Sequence, residues 1–257
     1  GEWYIFMARI SPIKSTANSV EDYIVVGHDV TSFRETEIKL EQAVEDKTIL
    51  LSELHHRVKN NLAIISGIMQ LQAFEETDEY LKNKLFSSVG RIKTLASMHE
   101  LLYESTSFTM LEFGTNVYKI VESVQGMFDP EQSLIEVEYA LEPILLNINQ
   151  AHPCALIINE VITNTFRKAQ DNPELKSCII IKSSTYGKKV LIEIKDNLDS
   201  IPEGYSARKQ PLSLQLIKTL VRQLNAQFNY LSDDYGTLFT LSFEKANTKG
   251  AGNVRLG

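Results

Sequence analysis

The sequence predicts a multidomain α+β protein in which an antiparallel helical hairpin precedes an α/β sandwich. Residues 31–76 contain no Pro and repeat apolar residues at alternating spacings of four and three, as in one long helix packed along its length. A second apolar-periodic run covers residues 78–104 after a short polar linker, so the two helices are expected to be antiparallel neighbours. Candidate strands and helices are mixed from 107 to 245, which favours the sandwich.

The composition of the chain argues against some classes of function. The 257 residues give room for two modest domains, and a net charge of −7 argues against a nucleic-acid binder. Cys154 and Cys178 lie in apolar runs, which indicates small buried residues in a reducing compartment, so we expect a cytoplasmic location. No signal peptide opens the chain and no apolar run is long enough to cross a bilayer. A full-length protein could still carry membrane segments upstream of these residues.

The first thirty residues predict two strands, 3–10 and 23–30, separated by a turn-rich break at 11–20. The second strand ends in His28-Asp29-Val30-Thr31. This stretch resembles the last two strands of a PAS sensor domain, and its ending resembles the junction from such a domain into a signalling helix. Residues 1–30 are too few for a whole PAS domain, so we expect a truncated one. An unrelated hairpin is the alternative.

The long helix, residues 31–76, carries adjacent histidines with different environments. His55 falls in the apolar seam, whereas His56 is rotated about 100° away onto a polar face with Glu53, Lys59 and Asn60. An exposed imidazole beside a carboxylate suits a nucleophile near neutral pH. The alternative is one seam histidine and one surface histidine without chemistry. The predicted seam consists of Leu51, His55, Val58, Leu62, Ile65, Met69 and Gln72.

The segment Glu-Leu-His-His-Arg-Val-Lys-Asn-Asn-Leu at 53–62, with Ile-Ile-Ser-Gly-Ile-Met-Gln-Leu-Gln at 64–72, resembles the phosphoacceptor helix of bacterial sensor histidine kinases. The resemblance is to the second HisKA subfamily, close to the HWE kinases. It implies that His56 accepts the phosphoryl group and that a response regulator receiver domain is the partner. Glu53, or a carboxylate from the other domain, would hold the other ring proton.

The second helix begins near Asp78, with Thr77 as the expected N-cap residue. Two helices alone cannot bury both of their apolar stripes, so a homodimer with a four-helix bundle over residues 31–106 is expected. The family resemblance implies the same arrangement. His99 is assigned to packing.

Periodicity predicts the remaining elements of the sandwich, which we assign to residues 107–245. The tail, 246–257, is polar and Gly-rich and is expected to be disordered. The predicted helices are 108–128, 151–170 and 214–224, and the predicted strands are 134–139, 144–148, 178–183, 190–195, 227–231 and 237–243.

Within the helix at 151–170, Glu160 and Asn164 lie one turn apart and therefore share a face. A carboxylate and an amide oxygen suit Mg²⁺, although a solvated polar face is the alternative. The segment 156–168 resembles the N-box of the same kinases, whose nucleotide domain is of the GHKL type. The resemblance implies ATP and Mg²⁺ as cofactors, with Asn164 holding Mg²⁺ and Glu160 in its shell or orienting water. Asn159 and Arg167 would also line the ATP site.

The segment 192–202 resembles the next nucleotide motif, in which Asp196 would accept a hydrogen bond from the adenine amino group. Both glycines of that motif are replaced, by Leu198 and Ser200. We expect Leu198 either to occupy adenine space or to strain the turn, because glycine allows close approach and positive φ.

Later positions of the nucleotide motifs are partly kept. Ser213 replaces a glycine at the start of a helix, where it could cap the helix and face a phosphate, and Asn225-Ala226 replaces two further glycines. Gly236 and Thr237 are retained. Arg208 and Lys209 could meet the phosphates, or be a solvated charged pair.

Together these motifs predict the core of a sensor histidine kinase that phosphorylates His56 from Mg·ATP and passes the phosphoryl group to a receiver-domain aspartate. The replaced glycines leave one alternative, an ATP-independent histidine phosphotransfer or regulator-docking protein with a degenerate nucleotide domain.

Overall fold

The computed structural model describes residues 3–14, 20–104, 110–201 and 212–246. The chain packs as two compact units, Gly1–Leu54 and His55–Gly257. No helix within the described ranges combines the length and the apolar character needed to cross a membrane. The predicted tail lies outside the described residues, apart from Ala246.

The first unit contains an antiparallel hairpin of β1 (Phe6–Lys14) and β2 (Val20–Asp29). The break predicted from Ser11 is wrong, because β1 continues through Pro12, which pairs with Tyr23. A two-stranded ribbon tolerates Pro since each strand has an edge without a partner.

Helix α1 (Thr31–Glu75) starts directly after the hairpin. Asp29 Oδ1 accepts from the Thr31 backbone N–H at 3.0 Å and from the Thr31 hydroxyl at 2.6 Å. These hydrogen bonds lower the pKa of the Asp29 carboxyl, and the one from the Thr31 hydroxyl has the larger effect. The Thr31 hydroxyl oxygen also accepts from the Ile5 N–H at 2.8 Å, which ties the first strand to the helix start.

In the second unit, the later part of α1 forms the predicted antiparallel hairpin with α2 (Glu79–Glu104). Phe74 meets Phe86 near the turn, with ring centroids 5.5 Å apart, and Lys59 pairs with Glu100 at the far end. The Thr77 cap is wrong: Asp78 Oδ1 accepts from the backbone N–H groups of the first turn of α2 at 2.8 and 3.3 Å.

The seam predicted on α1 is only partly buried in the single chain. Ser66 and Ala73 are buried, whereas Val58 and Ile65 of the seam are 36% and 48% exposed. The buried residues thus lie one position after Ile65 and Gln72 of the seam. A second apolar stripe remains uncovered on α1.

The α/β part has a five-stranded sheet in the order β4-β6-β7-β9-β8. Only β4 and β6 are parallel, and the other pairs are antiparallel. A short antiparallel pair, β3 with β5, lies apart from this sheet. The strands are β3 (Met110–Glu112), β4 (Ile135–Leu141), β5 (Leu145–Asn147), β6 (Ser177–Tyr186), β7 (Lys189–Asp196), β8 (Gln227–Asp233) and β9 (Gly236–Glu244).

Three helices, α3 (Phe113–Phe128), α4 (Ile148–Gln170) and α5 (Leu212–Leu224), pack on this sheet. Phe166 of α4 and Phe239 of β9 are fully buried in the shared core. Cys154 is buried there too, and this burial raises the pKa of its thiol, whereas Cys178 is half-buried. The predicted fold class, a helical hairpin followed by a mixed α/β domain, is confirmed.

Candidate functional site

The two adjacent histidines of α1 have the environments that the helical spacing predicts. His56 is exposed and His55 is half-buried. Glu53 lies three residues before His56 on the same helix. Lys59 differs from the expectation, because its ammonium pairs with Glu100 on α2, and this hydrogen bond lowers the pKa of the Glu100 carboxyl.

His55 belongs to a cluster of three histidines that the sequence did not reveal. Its ring centroid lies 5.8 Å from that of His99 on α2, which lies 5.8 Å from that of His152 on α4. Burial lowers the pKa of His99 and of His152, and repulsion between neighbouring imidazoliums adds to it. The three come from separate elements, so no local sequence pattern could have grouped them.

The histidine cluster makes a pH dependence of stability testable. Because the folded-state pKa values of His99 and His152 lie below the ordinary value, the unfolded chain binds more protons at mildly acidic pH. The free energy of unfolding should therefore fall as the pH drops below about 6.5. Denaturant melts from pH 7.5 to 5.5 should show a shallower fall for His152→Gln than for the wild type. An equal dependence of the free energy of unfolding on pH in His152→Gln and in the wild type would contradict this prediction. The control is His28→Gln, because His28 is exposed.

Helix α4 carries the predicted metal and nucleotide residues on two faces. Asn147 caps its first turn, with Oδ1 accepting from the Gln150 N–H at 3.0 Å. The face towards α2 holds Glu160, whose carboxylate accepts two hydrogen bonds from Arg91, Nε to Oε1 at 2.7 Å and Nη2 to Oε2 at 2.9 Å. The Glu160 side chain is only 4% exposed. Its hydrogen bonds to Arg91 raise the pKa of that guanidinium.

Two further α4 side chains meet α2. The Thr94 hydroxyl donates to Asn159 Oδ1 at 3.2 Å, and Arg167 Nη2 donates to the Ser87 hydroxyl at 3.0 Å. Asn159 Nδ2 and Arg167 Nε are buried with no hydrogen-bond partner among the described residues. Three of the residues predicted to line the ATP site therefore contact α2 in this structure.

The other polar face of α4 meets the loop after β7. The Asn164 amide nitrogen donates to the Ser200 carbonyl, so the amide oxygen is the atom left to meet a cation. The Thr165 hydroxyl donates to Asp196 Oδ2 at 3.1 Å. Glu160 and Asn164 thus lie one turn apart on α4 but have different partners, the first on α2 and the second in the loop.

Asp196 is enclosed by donors from its own chain. It is 3% exposed and accepts from the Ser200 hydroxyl and, at 3.0 Å, from the Leu198 N–H. Burial raises the pKa of its carboxyl, and these hydrogen bonds oppose that rise. The Thr237 hydroxyl closes the loop, because it donates to the Leu198 carbonyl at 2.8 Å and accepts from the Ser200 N–H at 3.0 Å.

The replaced glycines have local explanations. Leu198 is 5% exposed and packs in the core without a positive φ, so the expected strain is absent there. Asn225 adopts φ 51°, which Asn tolerates better than most residues, and so it serves the turn after α5. Ser213 lies one residue inside α5, which starts at Leu212, so the capping assignment is wrong. Arg208 and Lys209 lie outside the described residues.

Gly236 is the retained glycine that the backbone requires. Its φ is +131°, and a Cβ at this position would lie 1.9 Å from the Asp196 carbonyl oxygen. β9 therefore approaches the Asp196 backbone more closely than any side chain allows.

The polar side chains on α4 and at the end of β7 are of the chemical types that bind a magnesium nucleotide. Hard oxygen ligands of the type Mg²⁺ prefers come from the Asn164 amide and the Glu160 carboxylate. Asn159 Nδ2, a buried donor without a described partner, could serve a phosphate oxygen. Asp196 is a buried acceptor of the kind that an adenine amino group needs, although donors of the chain already surround it.

Comparisons with known proteins find similarity to histidine kinases. Residues 53–128 match the HisKA_2 family model, described as histidine kinase. The sensor histidine kinase PdtaS of Mycolicibacterium smegmatis is 27% identical over 219 residues, which cover 84% of this chain and 42% of PdtaS. Blue-light-activated histidine kinase 2 of Erythrobacter litoralis is 21% identical over 209 residues, which cover 77% of this chain and 58% of that protein. The chain thus spans less than two thirds of either relative.

The fold is also similar to a solved one. The histidine kinase domain of a blue-light-activated kinase from Erythrobacter litoralis superimposes with a TM-score of 0.56 at 20% identity, covering 80% of this chain and 94% of that domain.

Proposed function

We propose that this chain, which is similar to sensor histidine kinases of the HWE type, transfers the γ-phosphoryl group of Mg·ATP to His56. The phosphoryl group then passes to an aspartate of a response regulator receiver domain. The observation that carries the proposal is the exposed His56 inside the HisKA_2 match, in one compact unit with the polar face of α4.

The chemistry needs a neutral imidazole in line with the γ-phosphorus. A ring nitrogen of His56 bonds to the phosphorus while the bond to the β–γ bridging oxygen breaks, and ADP leaves with that electron pair. Glu53, one turn earlier, would hold the proton of the other ring nitrogen and fix the tautomer. A magnesium ion held by Asn164 and Glu160 would neutralise charge on the phosphates.

The nucleotide residues and His56 do not lie side by side in this structure. His99, which contacts His55, and Arg91, which contacts Glu160, are eight residues apart on α2 and so about 12 Å apart along its axis. Transfer therefore requires α4 to leave this position on α2, or His56 to be supplied by a second copy.

An uncovered stripe on α1 supports a homodimer. Between residues 58 and 74 it exposes apolar side chains that a four-helix bundle would bury, since water exposure of each costs free energy. They are Val58, Ile64, Ile65, Ile68, Leu71 and Phe74.

Two assignments outside the catalytic core belong to the same proposal. The hairpin of β1 and β2 is the end of a PAS domain whose signal enters α1 through the Asp29–Thr31 junction. The core acts in the cytoplasm, which suits the free thiols of Cys154 and Cys178.

The direct test is incubation of the chain with γ-labelled Mg·ATP. The expected result is acid-labile, alkali-stable label on the protein, followed by its loss to an added receiver domain. A folded protein that stays unlabelled at millimolar ATP would contradict the kinase proposal.

A second candidate is an ATP-independent phosphotransfer or docking protein. The observation that favours it is the closed Asp196 loop, in which the Ser200 hydroxyl and the Leu198 N–H bind the carboxylate that adenine would use. This protein would accept phosphate from a phosphorylated receiver domain onto His56 without ATP. Label that reaches the protein only by that route would favour this candidate.

A further inference from the structure

Helix α2 presents a row of polar side chains to the nucleotide face of α4. Ser87, Arg91 and Thr94 recur at spacings of four and three, so they share one face of α2. They contact Arg167, Glu160 and Asn159, respectively. Such pairing over two turns is a matched polar interface, and it covers residues that the proposed function assigns to ATP.

The Arg91–Glu160 pair dominates this interface. The guanidinium uses two nitrogens on the two carboxylate oxygens, the planar fork geometry that Arg forms best. Both Glu160 oxygens are therefore engaged. Each oxygen keeps a second lone pair, but a magnesium ion bound there would lie beside the Arg91 guanidinium and be repelled by it.

The burial of the two partners is unequal. The Arg91 side chain is 21% exposed and can regain water when it is released, whereas the Glu160 side chain is 4% exposed. A buried carboxylate without a partner is strongly unfavourable. Glu160 therefore needs a cation while α2 covers it, and the magnesium ion of a bound nucleotide would take the place of Arg91 once α4 leaves α2.

We propose that Arg91 is a positioning residue that holds Glu160 in the α2–α4 interface, so that α2 and Mg·nucleotide compete for this carboxylate. The inference rests on the proposed nucleotide site. Since linkage is reciprocal, nucleotide binding favours release of α4 from α2, which is one of the two routes to His56 given above. Asn159 Nδ2 and Arg167 Nε, which have no hydrogen-bond partner among the described residues, suit an interface that can be exchanged.

The test is calorimetric titration of Mg·ADP into the full chain and its variants. Arg91→Ala should bind Mg·ADP about tenfold more tightly than the wild type, because α2 no longer competes for Glu160. Arg91→Lys, which keeps the charge but loses the fork, should fall between them. The gain should disappear when EDTA replaces Mg²⁺, a dependence that a merely structural role of Arg91 would not produce.

Lys82→Ala is the matched control, because Lys82 also lies on α2 but pairs with Glu79 on the surface. It should leave the affinity unchanged. Equal or weaker Mg·ADP binding by Arg91→Ala, with wild-type binding intact, would overturn the competition and leave the nucleotide site standing. Absence of binding in every variant would overturn both. If Arg91→Ala binds Mg·ADP and the wild type does not, the result would strongly support the competition.

Discussion

Replacement of His56 by Ala is expected to abolish phosphoryl incorporation from Mg·ATP. The imidazole nitrogen is the proposed nucleophile, and its phosphorylation gives an acid-labile phosphoramidate. Because the side chain is exposed, the variant should keep wild-type stability within about 0.5 kcal/mol. The measurement is acid-labile label per chain, with a denaturant melt of the same sample. Acid-labile label that persists in His56→Ala would exclude this residue as the acceptor.

His55→Ala is the matched control at the adjacent position. His55 is half-buried beside His99, so its truncation should lower the free energy of unfolding by about 1 kcal/mol. The fraction that remains folded should still be labelled on His56. Loss of label in a folded His55→Ala protein would reverse the assignment of the two histidines.

Replacement of Gly236 by Ala is expected to have the largest effect on stability. The φ of +131° lies in a region that is essentially restricted to glycine, and the new Cβ would overlap the Asp196 carbonyl oxygen. We expect a loss of more than about 4 kcal/mol, or failure to fold, since strain and overlap add. Partial relief would move Asp196, so any folded fraction should bind Mg·ADP at least tenfold more weakly.

Gly187→Ala separates backbone strain from overlap. Gly187 also has a positive φ, +63°, but a Cβ there would meet no atom within 4 Å. Its cost should stay at about 1–2 kcal/mol, the usual penalty for a left-handed L-residue. Equal losses in the two variants, measured by denaturant melts, would show that the close approach at Gly236 is unimportant.

The sequence predicted those parts of the fold that rest on local periodicity. The helical runs on either side of the polar linker became α1 and α2, and every predicted strand of the five-stranded sheet is present with its ends shifted by a few residues. The errors concern the positions at which elements begin and end. Asp78, rather than Thr77, caps the start of α2. Strand β1 continues through Pro12 because each strand of the two-stranded hairpin has one edge that pairs with no strand among the described residues.

The site was predictable only where one helix carries the pattern. The exposure of His56 and the burial of His55 follow from a 100° rotation along α1. The partners of Glu160 and the cluster of His55, His99 and His152 depend on how α2 packs on α4, which no spacing within either helix contains. Leu198 was expected either to occupy adenine space or to strain the turn. The strain is absent, because its backbone does not adopt a positive φ and its side chain packs in the core.

The measurement that tests the central claim most directly is Mg·ADP binding to the chain by calorimetry, repeated with Asn164→Ala. Micromolar binding that is lost in this variant, and kept in Asn172→Ala at an exposed position just after α4, is the predicted result. It would mean that the amide oxygen of Asn164 holds Mg·nucleotide despite the replaced glycines. No binding heat at millimolar nucleotide, from a protein shown to be folded, would contradict the kinase and favour ATP-independent phosphotransfer.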